Sequence, residues 1–123
     1  MFKILIVEDD KELSLLFQKV LKKSGYQVKS ASDGAQALEV LDREYIDLII
    51  SDIMMPVMDG LETAEKIRKS GREDAGTVII IAMSANAFYD DIERSIKAGM
   101  NTHIAKPIDA DELVNIIARQ AGR

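Results

Sequence analysis

Residues 48–60 read Leu-Ile-Ile-Ser-Asp-Ile-Met-Met-Pro-Val-Met-Asp-Gly. Ile46 precedes the apolar run Leu48-Ile49-Ile50, which stops at Ser51-Asp52. An unbroken apolar run closed by polar residues reads as a strand buried on both faces, the usual environment inside a parallel sheet. The pattern recurs on either side. Upstream lies Ile4-Leu5-Ile6-Val7, closed by Glu8-Asp9-Asp10, and downstream Val78-Ile79-Ile80-Ile81, closed by Ser84. Tyr26 to Ala31 and Thr102 to Ala105 are weaker versions.

Helical spacing fills the intervals. Leu13, Leu16, Phe17, Val20 and Leu21 share one period and Gly25 stops it. Asp33-Gly34-Ala35-Gln36, Asp59-Gly60-Leu61-Glu62 and Asp109-Ala110-Asp111-Glu112 read as capping boxes. Each leads into apolar positions: Ala37, Leu38 and Leu41; Ala64 and Ile67; Leu113, Ile116 and Ile117. A fourth helix is expected from about Asn86 to Ala98, with Phe88, Ile92 and Ile96 on one face and Gly99 at its end. The outcome is five strand–helix units. Such alternation predicts an α/β domain with a parallel sheet, helices on both faces and right-handed crossovers. The 123 residues are expected to form a single domain, with 70–76 (SGREDAG) as a surface loop.

Composition narrows the function. Charged residues are 30% of the chain and apolar ones 47%, ordinary for a folded domain with a solvated surface. With 16 basic and 21 acidic residues the net charge is −5, which argues against direct nucleic-acid binding, a process driven mostly by Lys and Arg. There is no Cys and one His, so disulfide scaffolds and Cys- or multi-His zinc sites are excluded. No apolar run is long enough for a signal peptide or a membrane span, and a cytoplasmic location is the expectation. GxxxxGK and GxGxxG cradles are missing.

In open parallel sheets, ligands gather at the carboxyl ends of the strands. Those ends carry Glu8-Asp9-Asp10, Asp52, Ser84 and Lys106-Pro107. Crowded carboxylates either rise in pKa or take up a cation, and an oxygen-only ligand set suits a hard one, Mg2+ best. A carboxylate can also attack phosphorus to form an acyl phosphate, given a metal and donors to offset the phosphoryl charge. Asp52 can attack, Asp9 can hold the metal, and Ser84 and Lys106 can hold the phosphoryl group. Taken singly, these residues have plainer readings. Asp10 and Asp59 read first as helix caps, Met54, Met55 and Met58 as gap fillers, and Ser84, His103 and Lys106 as ordinary surface or turn residues. The convergence on separate strand ends favours a site.

ILIVEDD at 4–10, LIISDIMMPVMDG at 48–60, IIAMSANA at 80–87 and HIAKP at 103–107 together resemble the receiver domain of two-component response regulators over essentially the whole chain. The resemblance implies a flavodoxin-like (βα)5 fold with strand order 2-1-3-4-5. It implies that Asp52 accepts a phosphoryl group from the phosphohistidine of a sensor histidine kinase or phosphotransfer domain. Asp9 is then a direct Mg2+ ligand, Glu8 a ligand mainly through water, and the Met54 backbone carbonyl completes the set with Asp52. Ser84 and Lys106 hold the phosphoryl oxygens, and Lys106–Pro107 is expected to be cis. Phosphorylation then shifts the face made by helix 4, strand 5 and helix 5, changing the binding of a downstream effector domain or protein. A phosphorylation-dependent dimer is left open. Such a protein is a switch rather than an enzyme: it catalyses only its own phosphorylation and slow dephosphorylation.

One position departs from the family pattern. His103 stands where Tyr or Phe is frequent, three residues before the lysine, and is expected to take over the ring's switching role with titratable nitrogens. Met54 offers nothing to orient an attacking water, which predicts a long-lived phosphoryl state. Two other classes compete. A Mg2+-dependent phosphatase or phosphotransferase would need a second acid near Asp52 and a cap over its substrate. A flavodoxin-like cofactor carrier would need a phosphate loop and aromatic stacking, yet the chain has no Trp and three Tyr. Whether the unit stands alone, heads a transcription factor or belongs to a hybrid kinase is open.

Overall fold

A computed structural model describes residues 2–53, 60–71, 76–84, 89–106 and 108–121, the side chains of 89–91 excepted. Five strands and five helices alternate: β1 (Lys3–Val7), α1 (Lys11–Lys23), β2 (Gln27–Ala31), α2 (Gly34–Arg43), β3 (Leu48–Asp52), α3 (Gly60–Arg68), β4 (Ile79–Ser84), α4 (Tyr89–Lys97), β5 (Thr102–Ala105) and α5 (Ala110–Gln120). The sheet is all parallel, in the order β2-β1-β3-β4-β5.

Burial follows position in the sheet. Every residue of β3 is buried, as are all but the first of β1 and β4, whereas the edge strands β2 and β5 are largely open. Side chains alternate across each strand. Leu5, Val7, Ile49, Ile80 and Ala82 therefore face one way, against Ala37 and Leu41 of α2 and Ala64 and Ile67 of α3. Ile4, Ile6, Leu48, Ile50, Ile81 and Met83 face the other, against Phe17 and Leu21 of α1 and Leu113 and Ile117 of α5. Each of the Leu, Ile, Val, Phe and Met side chains among them contributes about 1.5–3 kcal/mol on burial.

Asp10, Asp33 and Asp109 cap their helices. Asp10 accepts from the Glu12 and Leu13 amides at 3.0 and 3.2 Å, so its side chain is engaged as a helix cap. Asp33 accepts from Gln36 N–H at 2.9 Å, while the Gln36 carboxamide accepts from Ser32 N–H, one residue before the cap. Asp109 accepts from Glu112 N–H at 2.7 Å. Asp59, Asn86 and Phe88 lie outside the described residues.

Two members of the apolar periods do not reach the core. Leu16 is 51% exposed and Ile96 62% exposed. In α1 the buried stripe runs through Ser14, Phe17 and Leu21, and in α4 through half-buried Ile92 and buried Ser95, with buried Ala98 directly after the helix. A small buried serine sits on each inward face, where it carries no apolar signal. At the opposite end from the strand tips, Arg68 of α3 donates to the carbonyls of Gly99 and Val78 and to Asn101 Oδ1, at 2.8–2.9 Å. Asn101 Oδ1 also accepts from Ile80 N–H. Gly99 has φ +100°, and a Cβ there would fall 2.7 Å from Arg68 Cγ, so only glycine suits this turn.

Candidate functional site

The parallel register brings the strand ends together. Val7 pairs with both Ala31 and Ser51, Asp52 with Met83, and Ser84 with Ala105. Backbone bonds extend this alignment past the strands: Glu8 N–H to Ala31 O, Ile53 N–H to Met83 O, and Lys106 N–H to Ser84 O. Glu8, Asp52, Ser84 and Lys106 thus share one edge of the sheet. The first three are buried, at 3%, 6% and 5% exposure, while Asp9 is exposed.

At that edge Lys106 Nζ donates to Glu8 Oε1 at 2.9 Å and to Asp52 Oδ2 at 3.2 Å. Glu8 Oε2 accepts from Asp10 N–H at 3.2 Å. One carboxylate oxygen each from Glu8, Asp9 and Asp52 lies within 4.8 Å of the others. Three converging hard oxygens, one on an exposed residue, suit a divalent cation that retains water. Ser84 Oγ is 2.9 Å from His103 Nε2. Met54 and Pro107, expected as a carbonyl ligand and a cis proline, lie outside the described residues.

The electrostatics follow from burial. Burial pushes the Glu8 carboxyl up to about 7, helped by the nearby charge of Asp52 and opposed by Lys106 and the Asp10 amide. Burial works against the Lys106 charge, but its hydrogen bond to Glu8 and the charge of Asp52 outweigh that and raise its pKa. The linkage has a definite sign. Glu8 holds its proton more tightly folded, at about 7, than unfolded, near 4.5, so its stabilising contribution is complete below pH 4.5 and lost as pH rises through 7. Chelator-treated protein is therefore expected to lose about 2 kcal/mol of unfolding free energy between pH 4.5 and pH 7.5. Urea melts of wild type and Glu8→Gln across that range measure it as the difference between the two, and a pH dependence unchanged by the substitution would contradict the raised Glu8 pKa.

Gly60, which by sequence is the second residue of a capping box, is part of the site. Its N–H donates to Ile53 O at 2.9 Å. A Cβ at Gly60 would overlap the Asp52 carbonyl oxygen and stand 3.0 Å from both Ile53 Cα and Ser51 Oγ. The obstructing atoms are mainly backbone and cannot swing aside. Gly60→Ala is expected to cost about 1–3 kcal/mol in urea denaturation, as overpacking does; wild-type stability would show that the α3 start is free to move. The signal was available in the sequence: a Gly eight residues after a strand-end Asp, beyond a Pro.

Residues 4–118 match the response regulator receiver domain family, and the chain belongs to it. Among its relatives, the sensor histidine kinase RcsC of Salmonella typhi is 36% identical over 120 residues, 98% of this chain but 12% of the kinase. Sporulation initiation phosphotransferase F of Bacillus subtilis is 35% identical over 117 residues, covering 95% of this chain and 91% of that protein. Among solved structures, the receiver domain of a sensor histidine kinase from Pseudomonas aeruginosa superposes with a TM-score of 0.88 at 37% identity, over 99% and 98% of the two chains; that domain has a magnesium ion coordinated in its active-site cleft. The chain is thus a receiver domain of the two-component systems, homologous both to the receivers of histidine kinases and, over nearly all of that protein's length, to a sporulation phosphotransferase. No described helix is long and apolar enough to cross a membrane.

Proposed function

We propose that these 123 residues act as one phosphorylation-controlled switch in the cytoplasm, with Asp52 as the phosphoryl acceptor. The observation that carries this reading is the position of Asp52: a buried carboxylate at the end of the central strand, 3.2 Å from the Lys106 ammonium and beside two further acids. A carboxylate so placed has a cation to accept phosphoryl charge and a cluster of acids to hold a metal. Mg2+, held by Asp9 and Asp52 with Glu8 acting mainly through water, would supply the remaining positive charge against the phosphoryl oxygens. The chain's own residues do the rest. Asp52 attacks phosphorus in line, the leaving group departs opposite, Lys106 Nζ donates to a phosphoryl oxygen, and Ser84 Oγ–H donates to another.

The phosphoryl donor is the phosphohistidine of a sensor histidine kinase or phosphotransfer domain, and the output is altered binding at the α4–β5–α5 face. The phosphoryl group brings about −1.5 to −2 charge and three acceptor oxygens, enough to pull Ser84 and reorganise the adjoining strand end. This is a phosphoacceptor switch and not an enzyme with an external substrate. Acetyl phosphate with Mg2+ is the direct test. A mass gain of one phosphoryl group, mapped to Asp52, supports the switch. Steady release of phosphate from small phosphoesters without an adduct would instead make the domain a phosphatase. The metal contribution is tested by adding Mg2+ in the pH series described above. Since the cation favours the carboxylate form of Glu8, the loss of stability toward pH 7.5 should disappear.

A further inference from the structure

The contact between Ser84 Oγ and His103 Nε2, at 2.9 Å, carries a constraint on hydrogen positions. A serine hydroxyl has one hydrogen to give and lone pairs to receive. A phosphoryl group on Asp52 is an acceptor only, so Ser84 must spend its single hydrogen on it. The Ser84–His103 contact then survives only if Nε2 carries a hydrogen and donates to Oγ. With Nε2 bare, Ser84 has to leave the ring to reach the phosphoryl oxygen. Ser84 is buried, its carbonyl accepts from the Lys106 amide and it pairs with Ala105, so its hydroxyl reaches the phosphoryl group chiefly by turning the side chain beside the ring. His103 sits on the neighbouring strand, paired with Ala82.

We propose that His103 is a positioning residue whose Nε2–H orients the Ser84 hydroxyl toward the phosphoryl oxygen, forming the relay His103 Nε2–H to Ser84 Oγ–H to phosphoryl. The proposal rests on Asp52 being the phosphoryl acceptor. It adds that acceptor occupancy fixes the hydrogen position on a ring one strand away. A phenylalanine or tyrosine in place of His103 has no ring nitrogen with which to make this contact.

The chain has a single His, so selective histidine 15N labelling yields one imidazole to observe. The probe is beryllofluoride with Mg2+, a phosphoryl mimic, on the intact chain. On saturation, the nitrogen assigned to Nε2 is expected to show a directly bonded, exchange-protected hydrogen. His103→Phe, which keeps a ring without the donor, should bind beryllofluoride about five- to tenfold more weakly, the effect of one lost hydrogen bond. His103→Gln, whose amide can donate from a similar position, should recover most of that loss. An Nε2 without hydrogen in the saturated protein, or wild-type affinity in His103→Phe, overturns the relay while leaving Asp52 as acceptor. Failure of the wild-type protein to bind beryllofluoride, with Asp52→Asn indistinguishable from it, overturns the acceptor reading and the relay together.

Discussion

Asp52→Asn is expected to abolish phosphoryl acceptance, cutting adduct formation from acetyl phosphate by at least about 10³-fold. The substitution is nearly isosteric but replaces an anionic nucleophile by a neutral amide. Its Oδ1 can still accept from Lys106 Nζ, which stands 3.2 Å from the Asp52 carboxylate, so the local packing has no reason to collapse. Removing one of three carboxylates whose oxygens lie within 4.8 Å also relieves mutual repulsion in the metal-free protein. The urea midpoint without metal should therefore equal or exceed that of wild type, while the gain on adding Mg2+ shrinks with one ligand charge missing. These two readouts separate loss of chemistry from loss of fold. Mass spectrometry showing a full adduct on Asp52→Asn would move the acceptor to another residue.

Much of this site is legible from residue order because strand ends are defined by chemistry as well as by sterics. Ile4 to Val7, Leu48 to Ile50 and Ile80 to Met83 are buried on both faces, and each run stops where a polar side chain first meets solvent or a ligand. Parallel pairing then forces those stopping points onto one edge, so Glu8, Asp52, Ser84 and Lys106 converge without any side-chain detail. Contacts that depend on rotamers were not legible. The sequence assigned Glu8 to a metal, yet its Oε1 also receives Lys106 at 2.9 Å, a pairing across 98 residues. Ser84 and His103 were both singled out, but nothing in their spacing shows a direct hydrogen bond. Gly60 was read as part of a cap, whereas its missing Cβ leaves room for the Asp52 carbonyl. Leu16 and Ile96 share the apolar periods yet face outward, because Ser14 and Ser95 are small enough to sit against the sheet and carry no apolar signal.

Lys106→Met is expected to slow phosphorylation by about 10²–10³-fold, the effect of removing one preorganised donor from developing charge. Met approximates the stem length of Lys and removes only the ammonium, so packing beside β5 is largely kept. The ammonium now offsets two buried carboxylates, and the same group has to stabilise the phosphoryl oxygens once Asp52 carries them. Its loss should also show in stability. Two of the interactions that lower the Glu8 pKa come from Lys106, so in the variant that pKa climbs above about 7. Near pH 5 Glu8 is already protonated in the fold, so the cost of the variant there is confined to the lost partner of Asp52 and should be smaller than at pH 8. By pH 8 wild-type Glu8 is ionised beside its cation, whereas the variant must either keep the proton or bury an uncompensated charge. The expected cost there is about 2 kcal/mol, below the range for fully buried pairs because the Lys106 side chain is 23% exposed. Urea melts at the two pH values and acetyl phosphate time courses check both halves. Wild-type phosphorylation kinetics in Lys106→Met would remove Lys106 from the chemistry and leave it only as counter-ion to Glu8, and a pH-independent stability loss would remove that role too.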